Sequence, residues 1–410
     1  MRMRFFRLFP AFVSAGLVLA ACGGSTPSGG ATPSASVPSD LSIKSFTADF
    51  SYMANLKSLV SAGHGKVGVI LPDTTSSTRY VDFDAPYLKK AFDTAGFSSS
   101  DYKIDNANGN DQTEVALAQA DISAGASVLI MDPLNSTVGS QIQQLAQQKG
   151  VKLISYDRAT FSGTNTYYVS FDNVQVGTLI GTGFTKCVTD WKVTNPQVFV
   201  LDGGEDSDPN AVSFAQGYNQ VLWGDKTTPQ KPGKTNNGLT LVGDQVAPGW
   251  DNTKGATIFQ QQFTAHQNIN ATVEANDGLA NAVIQVLKNK GVKANKIPTT
   301  GQDATLQGMA NVLTGFQCGS VYKAVYLEAQ AAVALATVLR ANATPPPALV
   351  NGNTSPPSGQ QGNQQPAVLL VPIWVDKTNM KDTVLKDNFV KTADLCSQVT
   401  AAVCTANGIS

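Results

Sequence analysis

The fold is indicated most clearly by the stretch Lys152-Leu153-Ile154-Ser155-Tyr156-Asp157-Arg158. A largely apolar run typical of a buried strand ends abruptly in an acid beside a base. At the mouth of a parallel sheet, this pair would offer two carboxylate acceptors and a fork of guanidinium donors, which suits a neutral ligand with many hydroxyl groups. An exposed ion pair at a strand end is the alternative interpretation, and the rest of the chain has to decide between the two.

Strands and helices alternate on both sides of this stretch. Before and including it, strands are predicted at 66–72, 102–105, 127–131 and 151–156, with helices at 86–95, 113–124 and 138–148. The alternation then restarts, with strands at 167–171, 197–201, 239–242, 271–275 and from Ile297 onward. This spacing is typical of parallel, doubly wound sheets whose ligand loops lie at the carboxyl ends of the strands. We therefore predict an α/β fold of two similar units in tandem.

The last third of the chain is more varied. An alanine-rich helix is predicted at 323–341, and residues 344–366 form a loop rich in Pro, Gly, Gln and Asn. A late strand is predicted at 368–374, and a surface tail with Cys396 and Cys404 follows it.

The bulk composition limits the partners that the chain can have. Its length of 410 residues is enough for two domains, each with its own hydrophobic core. The charged fraction is 14% and the net charge is −1. Because neither sign of charge dominates, we do not expect a nucleic-acid partner.

The amino terminus is predicted to be a targeting segment. Arg2, Arg4 and Arg7 precede a short apolar run that is too short to span a membrane comfortably. The run ends in Leu19-Ala20-Ala21-Cys22, which resembles the lipobox of bacterial lipoproteins. That resemblance implies removal of residues 1–21, a diacylglycerol on Cys22 and a flexible tether over 22–40. The protein would be exported and held by lipid at the outer face of the cell membrane, or lie in the periplasm. An ordinary signal peptide is the alternative.

Four cysteines remain in the exported chain, namely Cys187, Cys318, Cys396 and Cys404. Their even number suggests disulfides, with three pairings possible. Cys396 and Cys404 are near enough in sequence to close a local loop, which would leave Cys187 with Cys318. No metal site is predicted, because there is no CxxC and both histidines are far from every cysteine in sequence.

Motifs for enzyme chemistry are missing from the sequence. The first strand is followed by Leu71-Pro72-Asp73-Thr74-Thr75 rather than GxGxxG, and there is no Walker A sequence, so no nucleotide cofactor is predicted. Neither histidine lies beside a nucleophile, and therefore no catalytic residue of the Ser-His-Asp kind is predicted.

A set of short motifs carries a family resemblance. They occur in the order Asp157-Arg158, Phe171-Asp172-Asn173, Gly243-Asp244-Gln245, Gly249-Trp250, Asn276-Asp277, Gly301-Gln302-Asp303-Ala304 and Val321-Tyr322-Lys323. In this order they resemble the type I periplasmic sugar-binding proteins of ABC importers, over about residues 65 to 390, and the D-xylose-binding branch is the most similar.

The resemblance implies two doubly wound, Rossmann-like lobes with parallel sheets, joined by a three-stranded hinge. The amino-terminal lobe would comprise 41–158 plus 323–345, and the carboxy-terminal lobe 159–322 plus 346–410. A monosaccharide, xylose or a related pentose or hexose, would be captured between them and delivered to an ABC permease. We expect a monomer that is not an enzyme.

The resemblance also implies the ligand contacts. Those expected from the first lobe or hinge are Arg79, Asp157, Arg158 and Lys323, and those from the second lobe are Asn210, Trp250, Asn276 and Asp303. Carboxylates accept sugar hydroxyl protons, cations donate to hydroxyl oxygens, and an aromatic ring covers the C–H face. Tyr80 either stacks on the sugar or lines its loop. Between Asn276 and Asp277, we favour Asn276 as the sugar contact and Asp277 as a helix cap or support.

Two other functions are weighed against import. A sugar-sensing protein that docks on a receptor would use the same site. A glycosidase would use Asp157 and Asp303 as paired carboxylates, but Arg158 beside Asp157 should keep that acid ionised and a poor proton donor. The Pro before Asn210 and the Ser/Thr-rich first loop leave the identity of the sugar open.

Overall fold

The computed structural model describes residues 36–409, apart from residues 76, 78, 165, 205–207 and 358. The predicted signal peptide, Cys22 and most of the predicted tether lie outside the described residues. The strands are β1 (Lys66–Leu71), β2 (Tyr102–Asn106), β3 (Ala126–Met131), β4 (Lys152–Tyr156), β5 (Thr166–Phe171), β6 (Gln197–Gly203), β7 (Thr235–Asn236), β8 (Leu239–Ala247), β9 (Ala271–Glu274), β10 (Ser320–Tyr322), β11 (Gly352–Thr354), β12 (Gln365–Leu370) and β13 (Ile373–Val375).

Helices cover both faces of the sheets. They are α1 (Lys57–Ala62), α2 (Ala85–Ala95), α3 (Asp111–Ser123), α4 (Ser136–Gln148), α5 (Asn173–Asp190), α6 (Pro209–Trp223), α7 (Asn252–Ala265), α8 (Asp277–Asn289), α9 (Leu306–Thr314), α10 (Val325–Arg340), α11 (Thr392–Gln398) and α12 (Ala401–Ala406). One π-helical turn, Tyr80–Asp84, leads into α2.

Seven strands form the larger sheet, in the order β11-β12-β5-β4-β3-β1-β2. Neighbours are parallel except β11 and β12. Parallel strands buried on both faces have continuous apolar sequences, which is why β1, β3 and β4 are recognisable from the sequence. The carboxyl ends of these strands meet at one edge of the sheet.

The expected division after Arg158 differs from the division in the structure. β5 pairs in parallel with β4, with Ile154 opposite Tyr167, and β12 pairs with β5 on its other side. The chain therefore turns at Asp157 and Arg158 within the larger sheet and leaves that sheet only after Phe171. The correction arises because the composition of a strand does not specify the partner with which it pairs.

The smaller sheet has four strands in the order β7-β8-β6-β9, and β6 is parallel to both β8 and β9. The strand predicted from Ile297 is not formed, and a single parallel bridge joins Gln302 to Val321 instead. The strand predicted at 368–374 is two strands in different sheets, because β12 joins the larger sheet and β13 pairs with β10. Val371 and Pro372 connect them.

Within the described residues, the chain passes at three places between the part built on the larger sheet and the part that holds the smaller sheet and the β10–β13 pair. These crossings are at 171–173, 322–325 and 370–373. The first and third are joined directly, since the backbone N–H of Asp172 donates to the carbonyl of Leu370 at 3.1 Å. The space between the carboxyl ends of the two sheets is called the cleft below.

The core of the larger sheet is centred on α10. Every residue of this helix except Leu327 is buried, which fits a helix that is apolar on all sides. The segment before β1 forms two 3-10 turns, Ile43–Ser45 and Ser51–Leu56, and then α1. Its buried side chains belong to the same core as α10, so this segment completes the amino-terminal half of the molecule.

Two disulfides join elements of the fold. Cys187 on α5 is bonded to Cys318 before β10, and Cys396 on α11 is bonded to Cys404 on α12. These are the two pairs that sequence proximity favours. In the part of the chain that the structure describes, no helix has both the length and the apolar character required to cross a bilayer.

Candidate binding site in the cleft

The cleft brings together nine of the ten predicted ligand contacts. Its lining comprises Ser77, Arg79, Tyr80, Asp157, Arg158, Asp208, Asn210, Phe214, Trp250, Asn276, Gln302, Asp303 and Lys323. The loop after β1, the end of β4, the start of α6, the turns after β8 and β9 and the hinge strand β10 each supply part of it. Of the predicted contacts, Asp277 alone does not line this space.

Arg79 is the most heavily paired cation of the cleft. Its Nε and Nη2 donate to the two oxygens of Asp84 at 2.9 and 2.8 Å, and Nη2 also donates to Glu328 Oε2 at 2.7 Å. The remaining contact is from Nη1 to Asp157 Oδ1, at 2.9 Å. This bidentate pairing fixes the plane of the guanidinium and aims one edge of it at Asp157.

Asp157 lines the cleft and lies beside a hydroxyl donor and cations. Tyr80 donates its hydroxyl to Asp157 Oδ2 at 3.2 Å, and Lys323 Nζ is 3.7 Å from Oδ1. Burial alone would raise the pKa of Asp157, but the charges of Arg79, Lys323 and Arg158 hold it down at about 2. The carboxylate is therefore ionised and can only accept hydrogen bonds, which leaves the paired-carboxylate glycosidase without a proton donor at this position.

Lys323 connects two carboxylates from different parts of the chain. Its Nζ is 3.3 Å from Asp303 Oδ1 and 3.7 Å from Asp157 Oδ1. Asp303 Oδ1 is buried and accepts no hydrogen bond from the residues that the structure describes. Besides its ion pair with Lys323, this oxygen can accept a hydrogen bond from a ligand hydroxyl.

Arg158 lies between the carboxylates of Asp132 and Asp208. Its Nε is 3.9 Å from Asp132 Oδ1 and 3.9 Å from Asp208 Oδ2, while Nη1 donates to the carbonyl of Pro133 at 3.3 Å. The Tyr80 ring lies 5.5 Å from the guanidinium of Arg79 and 5.6 Å from that of Arg158, within cation–π range of both. Tyr80 therefore contacts both arginines and lines the cleft.

The position of the Trp250 ring is fixed by Asp208, a residue that the sequence analysis missed. Its indole Nε1–H donates to Asp208 Oδ2 at 2.8 Å, and Asp208 Oδ1 accepts the backbone N–H of Asn210. The ring packs against Gly203, where an added Cβ would lie 1.9 Å from ring atom Cζ3. Phe214 meets it edge to face, with ring centroids 6.3 Å apart. The cleft therefore has a fixed aromatic wall.

The three amide and acid residues of the second sheet have different tasks. Asn210 Nδ2 donates to the backbone carbonyl of Asp157 at 3.0 Å, so it ties α6 to the end of β4. Asn276 caps α8 through the N–H of Leu279 and also lines the cleft. Asp277 points away from the cleft, where Oδ2 accepts from Thr305 and Oδ1 from Gln317 and Ser320. Asp277 thus supports the turn that carries Asp303.

Three cleft residues have left-handed backbone conformations. The φ angles are 56° at Asp157, 60° at Trp250 and 87° at Asp303. Such values are uncommon for residues with a side chain, and for a bulky residue such as tryptophan they are outliers. Backbone strain of this kind is concentrated at functional sites, where it aims side chains that regular structure could not.

The space left among these side chains is small. Its volume is about 30 Å³, compared with about 400 Å³ and about 300 Å³ for the two neighbouring chambers of the same inter-sheet region. The cleft side chains are paired with one another at this separation of the sheets. Among the described residues, no group of three or more His, Cys, Asp and Glu side chains could hold a metal ion.

This fold, with its ligand-type side chains between two α/β bodies, defines a periplasmic binding protein. The sequence profile of the periplasmic binding protein domain family matches residues 67–343, and the chain belongs to that family. The D-xylose-binding periplasmic protein of Escherichia coli (strain K12) is 33% identical over 331 residues, which are 80% of this chain and 92% of that protein. The multiple sugar-binding periplasmic protein SbpA of Azospirillum brasilense is 29% identical, over 79% of this chain and 89% of that protein.

A solved structure supports the same fold. An ABC transporter solute-binding protein from Clostridium phytofermentans with bound β-D-glucose has a TM-score of 0.67 at 23% identity, and covers 80% of this chain and 99% of that one. The predicted α/β fold of the type I periplasmic binding proteins is therefore confirmed. The relatives are named for binding, and this chain is a binding protein rather than an enzyme.

Proposed function

We propose that this chain is the solute-binding component of an ABC importer and that it captures a monosaccharide, xylose or a related pentose or hexose, in the cleft. Relatives named for binding D-xylose or multiple sugars support this assignment. The observation that carries it is the set of alternating carboxylates and cations that faces the cleft beside the Trp250 and Phe214 rings.

The charges of the cleft favour a neutral ligand. The lining contains three cations, Arg79, Arg158 and Lys323, and three carboxylates, Asp157, Asp208 and Asp303. An anionic ligand would need a cation that is not already compensated, and Arg79 is paired with Asp84 and Glu328 besides Asp157. A sugar does not, because each hydroxyl both donates to a carboxylate and accepts from a cation.

Individual sugar contacts follow from the acceptors and donors that face the cleft. Asp303 Oδ1 would accept one hydroxyl proton, and Asp157 a second beside the Tyr80 hydroxyl. Lys323 and Arg158 would donate to hydroxyl oxygens between them. Trp250 would cover the C–H face of the ring, because its edge is already fixed by Asp208.

Capture requires the two sheets to move apart. The cations and carboxylates of the cleft are nine-tenths or more buried, so a ligand cannot reach them at this separation, and we propose that each sheet moves with its helices as a lobe about the three crossings. The first lobe would be the larger sheet with α10, and the second the smaller sheet with α5 to α9. Separation would break contacts such as Asn210 to Asp157, and closure on the ligand would restore them.

We also propose that the mature chain is exported, anchored through lipid on Cys22 at the outer face of the cell membrane, and monomeric. The lipobox-like sequence supports the anchor, and the periplasmic names of the relatives support export. Metabolic labelling with a palmitate analogue should label the natural chain and leave the Cys22→Ser variant unlabelled. Equal labelling of both would exclude this anchor.

The central proposal is tested by calorimetric titration of the mature chain with pentoses and hexoses, D-xylose first. At least one sugar should bind with a dissociation constant below about 100 µM, or roughly −5.5 kcal/mol. The Asp303→Asn variant should bind that sugar at least about tenfold more weakly. If no monosaccharide binds to the folded chain, the proposal is wrong.

A further inference from the structure

A chamber of about 400 Å³ lies beside the cleft, at the crossings of the chain. It is called the hinge chamber here. One wall consists of Phe171, Asp172 and Asn173, the first crossing, together with Leu369, which precedes the third. The opposite wall consists of the first turns of α6, including Ser213. Because the two walls belong to different sheets, the width of the hinge chamber depends on the separation of the sheets.

The outer wall of the hinge chamber is made by the loop that the sequence marks as rich in Pro, Gly, Gln and Asn. Within this loop, β11 pairs with β12, and residues 353–357 face the chamber. The loop is fixed to the segment after Arg158, since Asn363 N–H donates to the carbonyl of Phe161 at 2.6 Å. Gly362 lies so close to Phe161 that an added Cβ would be 2.4 Å from the Cβ of Phe161. These contacts hold the loop in a defined position, so it forms a fixed side of the chamber.

The lining of the hinge chamber suits a small, neutral, hydroxylated molecule. Phe161 and Tyr168 offer aromatic surface, and amides and hydroxyls surround them. Lys226 and Asp172 contribute one charge of each sign, so the lining has no net charge. Asn173 Oδ1 is a buried acceptor without a hydrogen-bond partner among the described residues, which favours a ligand that can donate to it.

The hinge chamber shares a partition with the cleft. Asn173 Nδ2 donates to Asn210 Oδ1 at 2.9 Å, and Asn210 Nδ2 donates to the backbone carbonyl of Asp157 at 3.0 Å. Tyr168 donates its hydroxyl to the same carbonyl at 2.6 Å. A molecule that bonds to Asn173 would therefore act directly on the residue that ties α6 to the end of β4.

We propose that the hinge chamber is a second binding site, for a polyol or monosaccharide, and that its occupancy changes the affinity of the cleft for its sugar. The effect on sugar affinity rests on the proposed function of the cleft. Binding in the hinge chamber does not depend on that function. Coupling between two sites is reciprocal, so sugar in the cleft must change the affinity of the chamber by the same factor.

Nuclear magnetic resonance of the full mature chain can observe the two sites separately. The Trp250 indole N–H reports on the cleft, and the methyl groups of Val174 and Leu369 report on the hinge chamber. The probes are D-xylose, D-glucose, xylitol and glycerol, each titrated to about 10 mM, tenfold above a dissociation constant of about 1 mM. At least one probe should shift the chamber methyl signals in a saturable way.

Ser213→Trp places an indole in the hinge chamber and should abolish the methyl response while the Trp250 signal still responds to sugar. Ser123→Trp is its matched control, because Ser123 also donates its hydroxyl to the carbonyl four residues earlier but is exposed on α3. The cleft dissociation constants of the two variants should differ by about fivefold or more. If Ser213→Trp fails to fold, Ser355→Trp fills the chamber from the outer wall.

Three results would overturn the inference: no saturable methyl shift with any probe, a shift that the chamber-filling variants leave unchanged, or equal cleft affinities in the filled and control variants. If no sugar shifts the Trp250 signal while the chamber methyl signals still shift in a saturable way, the proposed function is refuted and the hinge chamber remains a binding site.

Discussion

Arg79 and Asp157 are 78 residues apart in the sequence and form a 2.9 Å contact, from Nη1 to Oδ1, inside the cleft. Arg79 is held independently by Asp84 and Glu328, so its position does not depend on Asp157. This arrangement separates two roles: Asp84 and Glu328 orient the guanidinium, and Asp157 remains available to a ligand.

Replacement of Asp157 by Asn should therefore weaken sugar binding more than it weakens the fold. We expect an affinity loss of about 2 to 3 kcal/mol, because a charge-assisted hydrogen bond becomes a neutral one in a buried site. Calorimetric titration measures this loss, and urea unfolding checks the fold. Asp93→Asn, which alters an exposed ion pair with Lys89, is the control and should leave sugar affinity unchanged. Equal affinities of the Asp157→Asn variant and the unaltered chain would return this pair to a structural role.

Gly203→Ala should displace the Trp250 ring without a backbone penalty. The added methyl group would lie 1.9 Å from the indole, and the φ of Gly203 is not in the left-handed region. Sugar affinity should fall at least about tenfold. Gly224→Ala is a contrasting variant, because it has an open surrounding and a φ of 70°, so it should cost stability and leave affinity intact. Undiminished sugar affinity in Gly203→Ala would remove Trp250 from the ligand contacts.

Glu274 predicts a pH dependence of stability. Burial raises its pKa to about 8 from 4.5, so the folded chain keeps a proton on this residue that the unfolded chain releases. Stability should then fall as pH rises between about 4.5 and 8, with a limiting slope of about 1.4 kcal/mol per pH unit from this group. Glu274→Gln removes the group, and urea unfolding at several pH values should give a flatter profile. The exposed Asp394→Asn is the control, and an unchanged profile in Glu274→Gln would contradict the prediction.

The two disulfides should contribute unequally to stability. The Cys187–Cys318 bond spans 131 residues and the Cys396–Cys404 bond spans 8. Loop-closure entropy in the unfolded chain then gives about 5 kcal/mol for the long loop and about 2.5 kcal/mol for the short one. The free energy of unfolding of the two double Cys→Ser variants measures both contributions. A larger loss of stability in the variant without the Cys396–Cys404 bond would contradict the entropic account.

Most of the strand and helix order can be predicted from the sequence because parallel, buried strands are continuous apolar runs. Asp157, Arg158, Trp250 and Asp303 are also accessible to prediction, since each follows a strand or turn at the ligand edge of a sheet. The pairing of β5 with β4 cannot be predicted from the sequence, because nothing in Thr166–Phe171 specifies which strand lies beside it. The expected boundary after Arg158 is misplaced for that reason. The expected second lobe is also too large at 346–410, because β11 and β12 join the larger sheet.

The supporting acids escape sequence analysis for a different reason. Glu328 lies in an alanine-rich helix and Asp84 at the end of a helical turn, where an acid is usually solvated or caps a helix. Only the packing of α10 against the first turn of α2 brings them to Arg79. The Asp-Pro-Asn sequence at 208–210 does indicate a helix start, and Asp208 is the N-cap of α6. Its bond to the Trp250 indole cannot be predicted, because the two residues are 42 positions apart in the sequence.

The left-handed backbone at Asp157, Trp250 and Asp303 restricts how this protein could evolve toward another ligand. At φ angles near 60° or above, the residues that fit with least strain are Gly, Asn and Asp, so β-branched and most other replacements are penalised before any ligand is met. Substitutions that retune specificity should therefore accumulate at positions with ordinary backbone, such as Phe214 and Gln302. A designed library that seeks a new specificity has the most to gain by sampling these two positions.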